Sequence, residues 1–313
     1  MDQTSFHPEL LRVSVRQRLA PLPLGVLACL PLPARRQLLY LIFQHRVGNF
    51  RHPTTFTEKV NWRILHDRRP LIGQACDKLW VKDRARELGL AAAETIWSGL
   101  ALTELLTADL PSRWVLKPNH RSGSIHFGSG RPASVDDLIR MARGWLDHDD
   151  ELRKGEWGYS AARRLLLVEP LLGGGPQPPV DYKIFVFNGT PALVQIDSDR
   201  FIGHRRRLYT GAFQPLETRL EYPLADVIQP PAIWEQMVDA ARRLSSGYDF
   251  VRVDLYDVNG VVYVGELAVY PSGGLGRFVP RRLDRQLGAW WELPPIPQEV
   301  PGPPPRHGSK GPL

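Results

Sequence analysis

The stretch F-V-R-V-D-L-Y-D-V-N-G-V-V-Y-V-G-E-L-A-V-Y-P-S-G-G, residues 250–274, decides how this chain is read. Two β-rich runs, 250–256 and 261–269, flank Asn259-Gly260, a strong hairpin signal. Alternation in the first run puts Phe250, Arg252, Asp254 and Tyr256 on one face and Val251, Val253 and Leu255 on the other. The apolar face should be buried, which leaves Arg252 and Asp254 to look into a cleft or solvent. Register decides whether Glu266 joins them. A two-residue Asn-Gly loop sets Asp254 opposite Gly265 and sends Glu266 to the wrong face. A three-residue loop, Val258-Asn259-Gly260 with Gly260 left-handed, sets Arg252 opposite Glu266 and lets Asp254 and Glu266 share a face. Two carboxylates so placed repel unless a cation lies between them, and Mg²⁺ accepts one or two carboxylates together with phosphate oxygens. The plainer alternative is an Arg252–Asp254–Glu266 surface salt-bridge cluster, a common and weak arrangement.

Working outward, residues 181–187 repeat the device: Asp181, Lys183, Phe185 and Phe187 share one face. Lys183 either snorkels from a core or reaches a phosphate. Lys117 ends the run 114–117 and precedes N-H-R-S-G-S-I-H-F-G-S-G, residues 119–130, whose small residues let backbone N–H groups approach phosphate oxygens. Further strands are expected at 165–169 and 192–197, and Asn188-Gly189 marks another hairpin. Thr55 with Glu58 reads as a capping box opening a helix; a second helix follows Asp77 and stops at Gly89, and a third fits 232–244. Residues 35–46 read as a helix with an apolar centre and basic ends, packed on the main domain in the plainer reading and lying on anionic lipid in the sharper one. Strands, helices and tight hairpins together give an α+β architecture. Residues 294–313, dense in Pro and Gly, read as a disordered tail.

Composition narrows the classes. With 43% apolar and 23% charged residues, the chain of 313 residues is an ordinary globular protein. Its net charge of +7 favours anionic partners, yet no zinc-finger spacing or RNA-binding signature is present, so nucleic acid is not expected. Two cysteines, Cys29 and Cys76, make no disulfide framework and fit a reducing compartment. The most apolar run, from Pro21 to Pro33, is too short and too proline-broken to span a bilayer or to read as a signal peptide, so a cytoplasmic location is the expectation.

The ordered set of stretches resembles the ATP-grasp superfamily, and within it the group linked to teichuronopeptide and other surface-polysaccharide biosynthesis. The matching pieces are H-P-T-T-F-T-E-K-V (52–60), D-K at 77–78, V-L-K-P-N-H (115–120), L-V-E-P-L-L (167–172), D-Y-K-I-F-V-F-N-G (181–189), Q-I-D-S-D-R-F (195–201), F-V-R-V-D-L-Y (250–256) and G-E-L-A-V-Y-P-S-G-G (265–274). The resemblance implies an ATP-grasp fold holding the nucleotide between two α+β subdomains. It would occupy residues 51–293, with a lid subdomain at about 114–170, after a Leu/Pro/Arg-rich helical segment over 1–50. It implies that Lys117 and Lys183 hold the α- and β-phosphates. The loop with Asn119, Ser122 and Gly123 closes over the triphosphate. Glu169 and the Leu171 backbone meet adenosine, Asp181 lines the site, Arg252 faces the γ-phosphate, and Asp254 and Glu266 hold Mg²⁺. The implied chemistry is ATP-dependent joining of a carboxylate to an amine through an acyl phosphate, with release of ADP.

Two departures from the family pattern stand out. Arg121 replaces a glycine, either clamping a phosphate or stiffening the lid. Ala268 replaces a threonine, or in the wider superfamily an asparagine, and offers no oxygen to a metal. On the acceptor side, Asp197, Asp199, Arg200, His204 and Arg205-Arg206-Arg207 match a family segment of unassigned role. Arg200 is expected at the site, where arginine suits carboxylate capture, and the triple arginine is expected in a solvated turn. The leading expectation is therefore a ligase attaching an amine to a small-molecule or sugar-precursor carboxylate. Phosphotransfer on the same fold is the rival chemistry. A nucleotide-binding adaptor, touching the membrane surface through the basic N-terminal segment, is the rival class.

Overall fold

Two hairpins and one buried helix start set the larger half of the molecule. In the computed structural model, which describes residues 29–132, 134–146, 154–173, 178–198 and 203–295, the chain opens with α1 (Leu32–Gln44) and α2 (Phe56–His66). Thr55 and Glu58 close the capping box: the Thr55 side chain accepts from the Glu58 N–H, and Glu58 Oε2 accepts from the Thr55 N–H at 3.1 Å. Then come α3 (Pro70–Ala75) and α4 (Lys78–Glu87), the latter capped by the Asp77 carboxylate on the Trp80 N–H at 2.9 Å and followed by left-handed Gly89 at φ 66°.

The segment expected as a lid is part of a four-stranded sheet, the lid sheet, in the order β2-β5-β3-β4, formed by β2 (Trp97–Gly99), which lies ahead of the expected bounds, β3 (Arg113–Pro118), β4 (His126–Ser129) and β5 (Leu166–Pro170). Its core gathers Leu105, Trp114, Leu116 and Val168 under α5 (Val135–Ala142), and the short helix α6 (Gly158–Ala161) leads back out of it. The other sheet has seven strands in the order β1-β12-β11-β6-β7-β8-β9. They are β1 (Ala91–Ala92), β6 (Asp181–Phe187), β7 (Thr190–Ser198), β8 (Arg205–Thr210), β9 (Pro215–Leu216), β11 (Phe250–Val258) and β12 (Val261–Ala268). A small ribbon pairs β10 (Arg219–Leu220) with β13 (Phe278–Val279), and α7 (Trp234–Leu244) and α8 (Arg282–Trp290) complete the α+β fold.

The two faces of the large sheet explain where a site can lie. Tyr182 packs on Phe213, which packs on Trp234, so α7 covers the face of Tyr182 and Ile184. On the opposite face Phe56 from α2 meets Phe185, Phe187, Phe250 and Trp291, with ring centroids 5.0–6.0 Å apart. Burying such rings stabilises by roughly 1.5–3 kcal/mol each. That aromatic lid covers only one end of the strands. At the other end the same face carries Asp181, Lys183 and Asp254, and it turns toward the lid sheet.

The basic N-terminal helix is not spent on an outside surface. Arg36, fully buried, donates to Asn61 Oδ1 at 2.8 Å, to the Lys154 carbonyl at 2.9 Å and to the Gly273 carbonyl at 2.5 Å. Arg46 pairs with Glu58 at 2.9 Å. The arginines expected to flank a lipid-facing helix therefore hold the Pro271–Gly274 turn and the α2 start, which corrects the membrane-surface reading for this helix. No helix among the described residues is long and apolar enough to cross a membrane. Residues 1–28, Asp199 and Arg200, and 296–313 of the proline-rich tail lie outside the described residues.

Candidate functional site

The floor of the site is the β11–β12 hairpin, and its register differs from the one expected. Val258 pairs with Val261, so the loop has two residues, with Asn259 at φ 54° and Gly260 at φ 80°, both left-handed as a tight hairpin requires. The three-residue loop is thus not formed, and Arg252 lies opposite Ala268, not Glu266. The parity is restored by a bulge between Val264 and Glu266, where Gly265 is the extra residue: Leu255 faces Val264, yet Asp254 faces Glu266. Glycine suits the bulge, because a Cβ there would stand 2.7 Å from the Tyr256 ring and 3.1 Å from the Asp254 carbonyl. Asp254 and Glu266 share a face through this bulge, not through the turn.

Around that pair the charges interlock. Arg252 donates from Nε and Nη2 to the two oxygens of Asp254, each at 2.6 Å, and from Nη2 to Glu266 at 3.0 Å. Across the ladder β6 sets Lys183 opposite Asp254, with Nζ 2.7 Å from Oδ2, and the same amine bonds the Asp181 carboxylate. Asp254 is 1% exposed. Burial alone would raise its pKa, but Arg252 and Lys183 outweigh burial and hold it below the usual carboxylate range. Arg252 is largely but not fully buried, its side chain 11% exposed, and Asp254 and Glu266 raise its pKa against the effect of burial. This is the salt-bridge cluster of the plainer reading, but buried and convergent instead of spread on the surface.

The lid side has its own ion cluster. Lys117, at the end of β3, lies 2.5 Å from Glu169 Oε2, and Lys82 of α4 bonds the other oxygen of the same carboxylate and donates to Thr95 Oγ1 at 2.8 Å. Burial opposes the charge on Glu169, yet the two lysines lower its pKa. Lys82 was not singled out from sequence; it sits in a run K-L-W-V-K-D-R-A-R-E whose charges read as an exposed helix face. Leu171 spends its N–H on the Arg113 carbonyl at 3.1 Å, which leaves its carbonyl for any ligand.

The loop after β3 is anchored at its root. Asn119, fully buried, accepts from the Leu79 N–H at 2.9 Å and donates to the Arg163 carbonyl at 2.9 Å. Lys78 gathers the carbonyls of Pro118, Asn119 and Arg121 at 3.0, 3.2 and 2.6 Å, and burial lowers its pKa to about 8. Arg121 reaches the Gly144 carbonyl at 2.7 Å, tying the loop to the end of α5. Ser122 and Gly123 are exposed, and Gly123 takes φ 75°. The structure thus brings Lys117 and Glu169 together on the cleft wall and leaves Ser122 and Gly123 exposed. A cleft opens between the two sheets, lined by Val115 and Phe127 on one side, Tyr256 and Val264 on the other, and Leu171 and Pro179 from the connecting segment.

The triple arginine is not a solvated turn. Arg205–Thr210 is a strand, so its side chains alternate: Arg205 is exposed while Arg206, 6% exposed, binds Asp197 at 2.5 Å and Glu221 at 2.9 Å. The signal was present in R-R-R-L-Y-T as a period of two, masked by the charge of the run.

A cleft between a small lid sheet and a larger, mainly antiparallel sheet, with lysines on both and paired carboxylates on the floor, agrees with the sequence comparison. The profile of the TupA-like ATP-grasp family matches residues 58–292. The chain belongs to that family. Matches to solved structures are at low identity and low TM-score. D-alanine–D-alanine ligase from Bacillus anthracis is 17% identical, over 62% of this chain and 57% of that one, with a TM-score of 0.37. The Helicobacter pylori D-alanine–D-alanine ligase is 16% identical, over 69% and 56%, with a TM-score of 0.42. The ATP-grasp ligase PsnB, complexed with a minimal precursor, is 14% identical, over 64% and 53%, with a TM-score of 0.37. The chain therefore spans little more than half the length of these structures. No curated protein matches the sequence significantly.

Whether this ATP-grasp site suits a divalent cation can be judged from its donors. Among the described residues no group of three or more His, Cys, Asp or Glu side chains converges as a metal cage. Asp254 and Glu266 do face each other across the bulge, and Ala268 adds no oxygen. Two carboxylates suit Mg²⁺, which keeps several waters and takes its other ligands from phosphate.

Proposed function

We propose that this ATP-grasp protein is a Mg²⁺- and ATP-dependent carboxylate–amine ligase that acts through an acyl phosphate. The observation that carries the reading is the convergence of Asp254, Glu266, Arg252 and Lys183 on one floor, below a lid that presents Lys117 and Glu169. On this reading Lys117 and Lys183 bind the α- and β-phosphates, Arg252 meets the γ-phosphate, and Asp181 keeps Lys183 aligned. Ser122 and Gly123 close over the triphosphate, Asn119 holds the root of that loop, and the Leu171 carbonyl and Glu169 meet the adenosine. Asp254 and Glu266 would hold Mg²⁺, which supplies positive charge to the phosphate oxygens.

The acid's carboxylate oxygen attacks the γ-phosphorus, the bond to the β-bridging oxygen breaks, and ADP leaves. An amine nitrogen then attacks the acyl carbon and expels phosphate, giving the amide. The side chains position the reactants and neutralise charge; none needs to form a covalent bond. Arg200, outside the described residues, is proposed to capture the acid. A sugar-precursor carboxylate in polysaccharide biosynthesis, in a cytoplasmic setting, is the substrate class the resemblance favours.

The test is thermal unfolding with MgATP, then with chelator, on wild type, Lys117→Ala and Asp254→Ala. A ligand at about a hundred times its Kd stabilises by about 2.7 kcal/mol. A magnesium-dependent shift in wild type that both variants lose supports the site. No shift in wild type at millimolar MgATP sinks the reading. A phosphorylated product in place of an amide would establish phosphotransfer on the same floor.

A further inference from the structure

The polar floor does not end at Lys183. The ladder sets Lys183 opposite Gln195 of β7, so Gln195 stands two strand spacings, roughly 10 Å, from Asp254 on the same face. Gln195 donates to Asp197 Oδ2 at 3.0 Å. Asp197 is the buried hub of a second cluster: its Oδ1 lies 3.1 Å from His204 Nε2 and accepts from Arg206 Nε at 2.5 Å. His204 stacks on Tyr222 with ring centroids 3.7 Å apart, and the Arg206 guanidinium lies over the same ring at 4.8 Å. Arg206 continues to Glu221, whose carboxylate accepts from Ser272 Oγ at 2.8 Å. Ser272 belongs to the turn after β12, so this contact joins the β8 side of the floor to the far end of the β11–β12 hairpin. The candidate nucleotide cleft lies at the β11–β12 side, with Tyr256 and Gly265 in its wall. The second cluster lies at the β7–β8 side, and Lys183 stands between the two.

His204 is placed to be used. Its side chain is 19% exposed and lies on a flat ring, with Nε2 3.1 Å from the Asp197 carboxylate but not aligned for a hydrogen bond. Among the described residues, the charged and titratable groups that face it are Asp197 from β7, Arg206 from β8, and Tyr222 beyond β10, with Glu221 reached through Arg206. Burial would weaken the charge on Asp197, but Arg206, His204 and Lys183 keep it ionised. A carboxylate this close to one ring nitrogen needs only a small turn of the ring to accept its proton, and the other nitrogen then serves as the base. The incoming nucleophile of a carboxylate–amine ligase needs such a base, because a primary amine is protonated at neutral pH and has no lone pair to offer.

We propose that the Asp197–His204–Tyr222 cluster is the acceptor subsite, that it takes a primary ammonium compound, and that His204 is the catalytic base which deprotonates it. The assignment rests on the ligase reading. His204 Nδ1 takes one proton from the ammonium group, and the freed nitrogen forms the bond to the acyl carbon. The carbon–oxygen bond to phosphate breaks with its electron pair, and the departing phosphate takes the second nitrogen proton. Asp197 is a positioning residue that holds the ring and its charge.

Hydroxylamine separates the base from the rest of the machinery, because it is unprotonated at neutral pH and needs no deprotonation to attack an acyl phosphate. Wild type, His204→Gln and Asp197→Asn are given MgATP and a panel of carboxylic acids, with either hydroxylamine or the twenty standard amino acids. Hydroxamate and amide are read by mass spectrometry. In His204→Gln the ratio of amide to hydroxamate falls about 100-fold or more, in line with the usual contribution of a general base. That ratio recovers as pH is raised and the amine loses its own proton. Asp197→Asn lowers the ratio less. Equal loss of both products would mean a structural role and overturn the proposal, as would an unchanged ratio. Hydroxamate without any amide in wild type would also overturn it, since the acceptor would then not be an amine. No hydroxamate from any acid in wild type would remove the ligase reading itself, and this assignment with it.

Discussion

Replacing Lys183 by methionine removes a cation that bridges Asp254 and Asp181 while keeping the volume of the side chain. Both carboxylates are buried, at 1% and 7% exposure, and Lys183 itself is 5% exposed. Removing one partner of a buried ion pair costs about 3–5 kcal/mol, because the other charge stays behind without compensation. Asp254 keeps both bonds from Arg252, so the lower end applies, about 3 kcal/mol. For a domain of this size that is a fall in Tm of roughly 6–12 °C. The pH dependence gives a second handle. In wild type Asp254 titrates below its ordinary 3.8, so its contribution is complete above that value and is lost only as pH falls through the folded pKa. Without Lys183, Asp254 keeps Arg252 but loses one of the two cations that hold its pKa down, so its folded pKa lies closer to the ordinary 3.8. The stability that Lys183 adds through Asp254 is complete above the carboxylate range and is lost as pH falls through it, so the deficit of the variant narrows between pH 7 and about pH 3. Calorimetry of both proteins across that range is the assay. A variant that melts with wild type at pH 7, or whose deficit widens on acidification, would refute the account of Lys183 as the shared counter-ion of the floor.

Three further outcomes follow from the same geometry. Gly265→Val forces a Cβ against Tyr256 and the Asp254 carbonyl and is expected to destabilise by about 1–3 kcal/mol; the MgATP-induced rise in Tm should shrink as well, and a full rise would separate the bulge from the site. Arg121→Gly removes the bond to Gly144 and restores the residue the family pattern carries; stability should fall by about 1–2 kcal/mol and limited proteolysis should cut residues 119–130 sooner, whereas an unchanged digestion pattern argues against a stiffening role. Lys82→Met leaves Glu169 with Lys117 alone, so nucleotide affinity by titration calorimetry should drop about tenfold, or about 1.4 kcal/mol, and Lys82→Arg should retain most of it.

The parts of this fold legible in sequence are those fixed by local physics. The capping box of Thr55 and Glu58, the stop at Gly89 and the strand of residues 181–187 depend on neighbours within a few positions, and all three stand in the structure. The shared face of Asp254 and Glu266 was also expected, but for the wrong reason. Of the two loops weighed, only the three-residue one puts both carboxylates on one face; the turn has two residues, and the extra residue is Gly265, five positions past it. A glycine inside a strand pattern is a bulge signal, and it was the better clue. Lys82 and Arg206 were missed for another reason. Each is a charge within a charged run, and only tertiary pairing with Glu169 or with Asp197 and Glu221 marks it as buried.

Those pairings have a consequence for how a nucleotide enters. Every cation assigned to phosphate already rests on a carboxylate: Lys117 on Glu169, Lys183 on Asp181 and Asp254, Arg252 on Asp254 and Glu266. On the ligase reading, binding is then an exchange of partners and not the filling of a bare positive pocket. When Lys117 turns to a phosphate, Glu169 keeps Lys82. When Lys183 and Arg252 turn to the triphosphate, Asp254 and Glu266 are left as a facing pair of anions, the donor set that suits Mg²⁺. ATP without the metal would strand those two carboxylates, and the metal without ATP would have to displace Arg252 and Lys183 unaided. The two should therefore bind with strong mutual dependence: each raises the affinity of the other by the same factor, as linkage requires. Calorimetric titrations of ATP at several Mg²⁺ concentrations, and of Mg²⁺ with and without a non-hydrolysable nucleotide, give the two factors separately. Independent binding of the two would mean that the ion pairs of the floor do not open when the nucleotide enters.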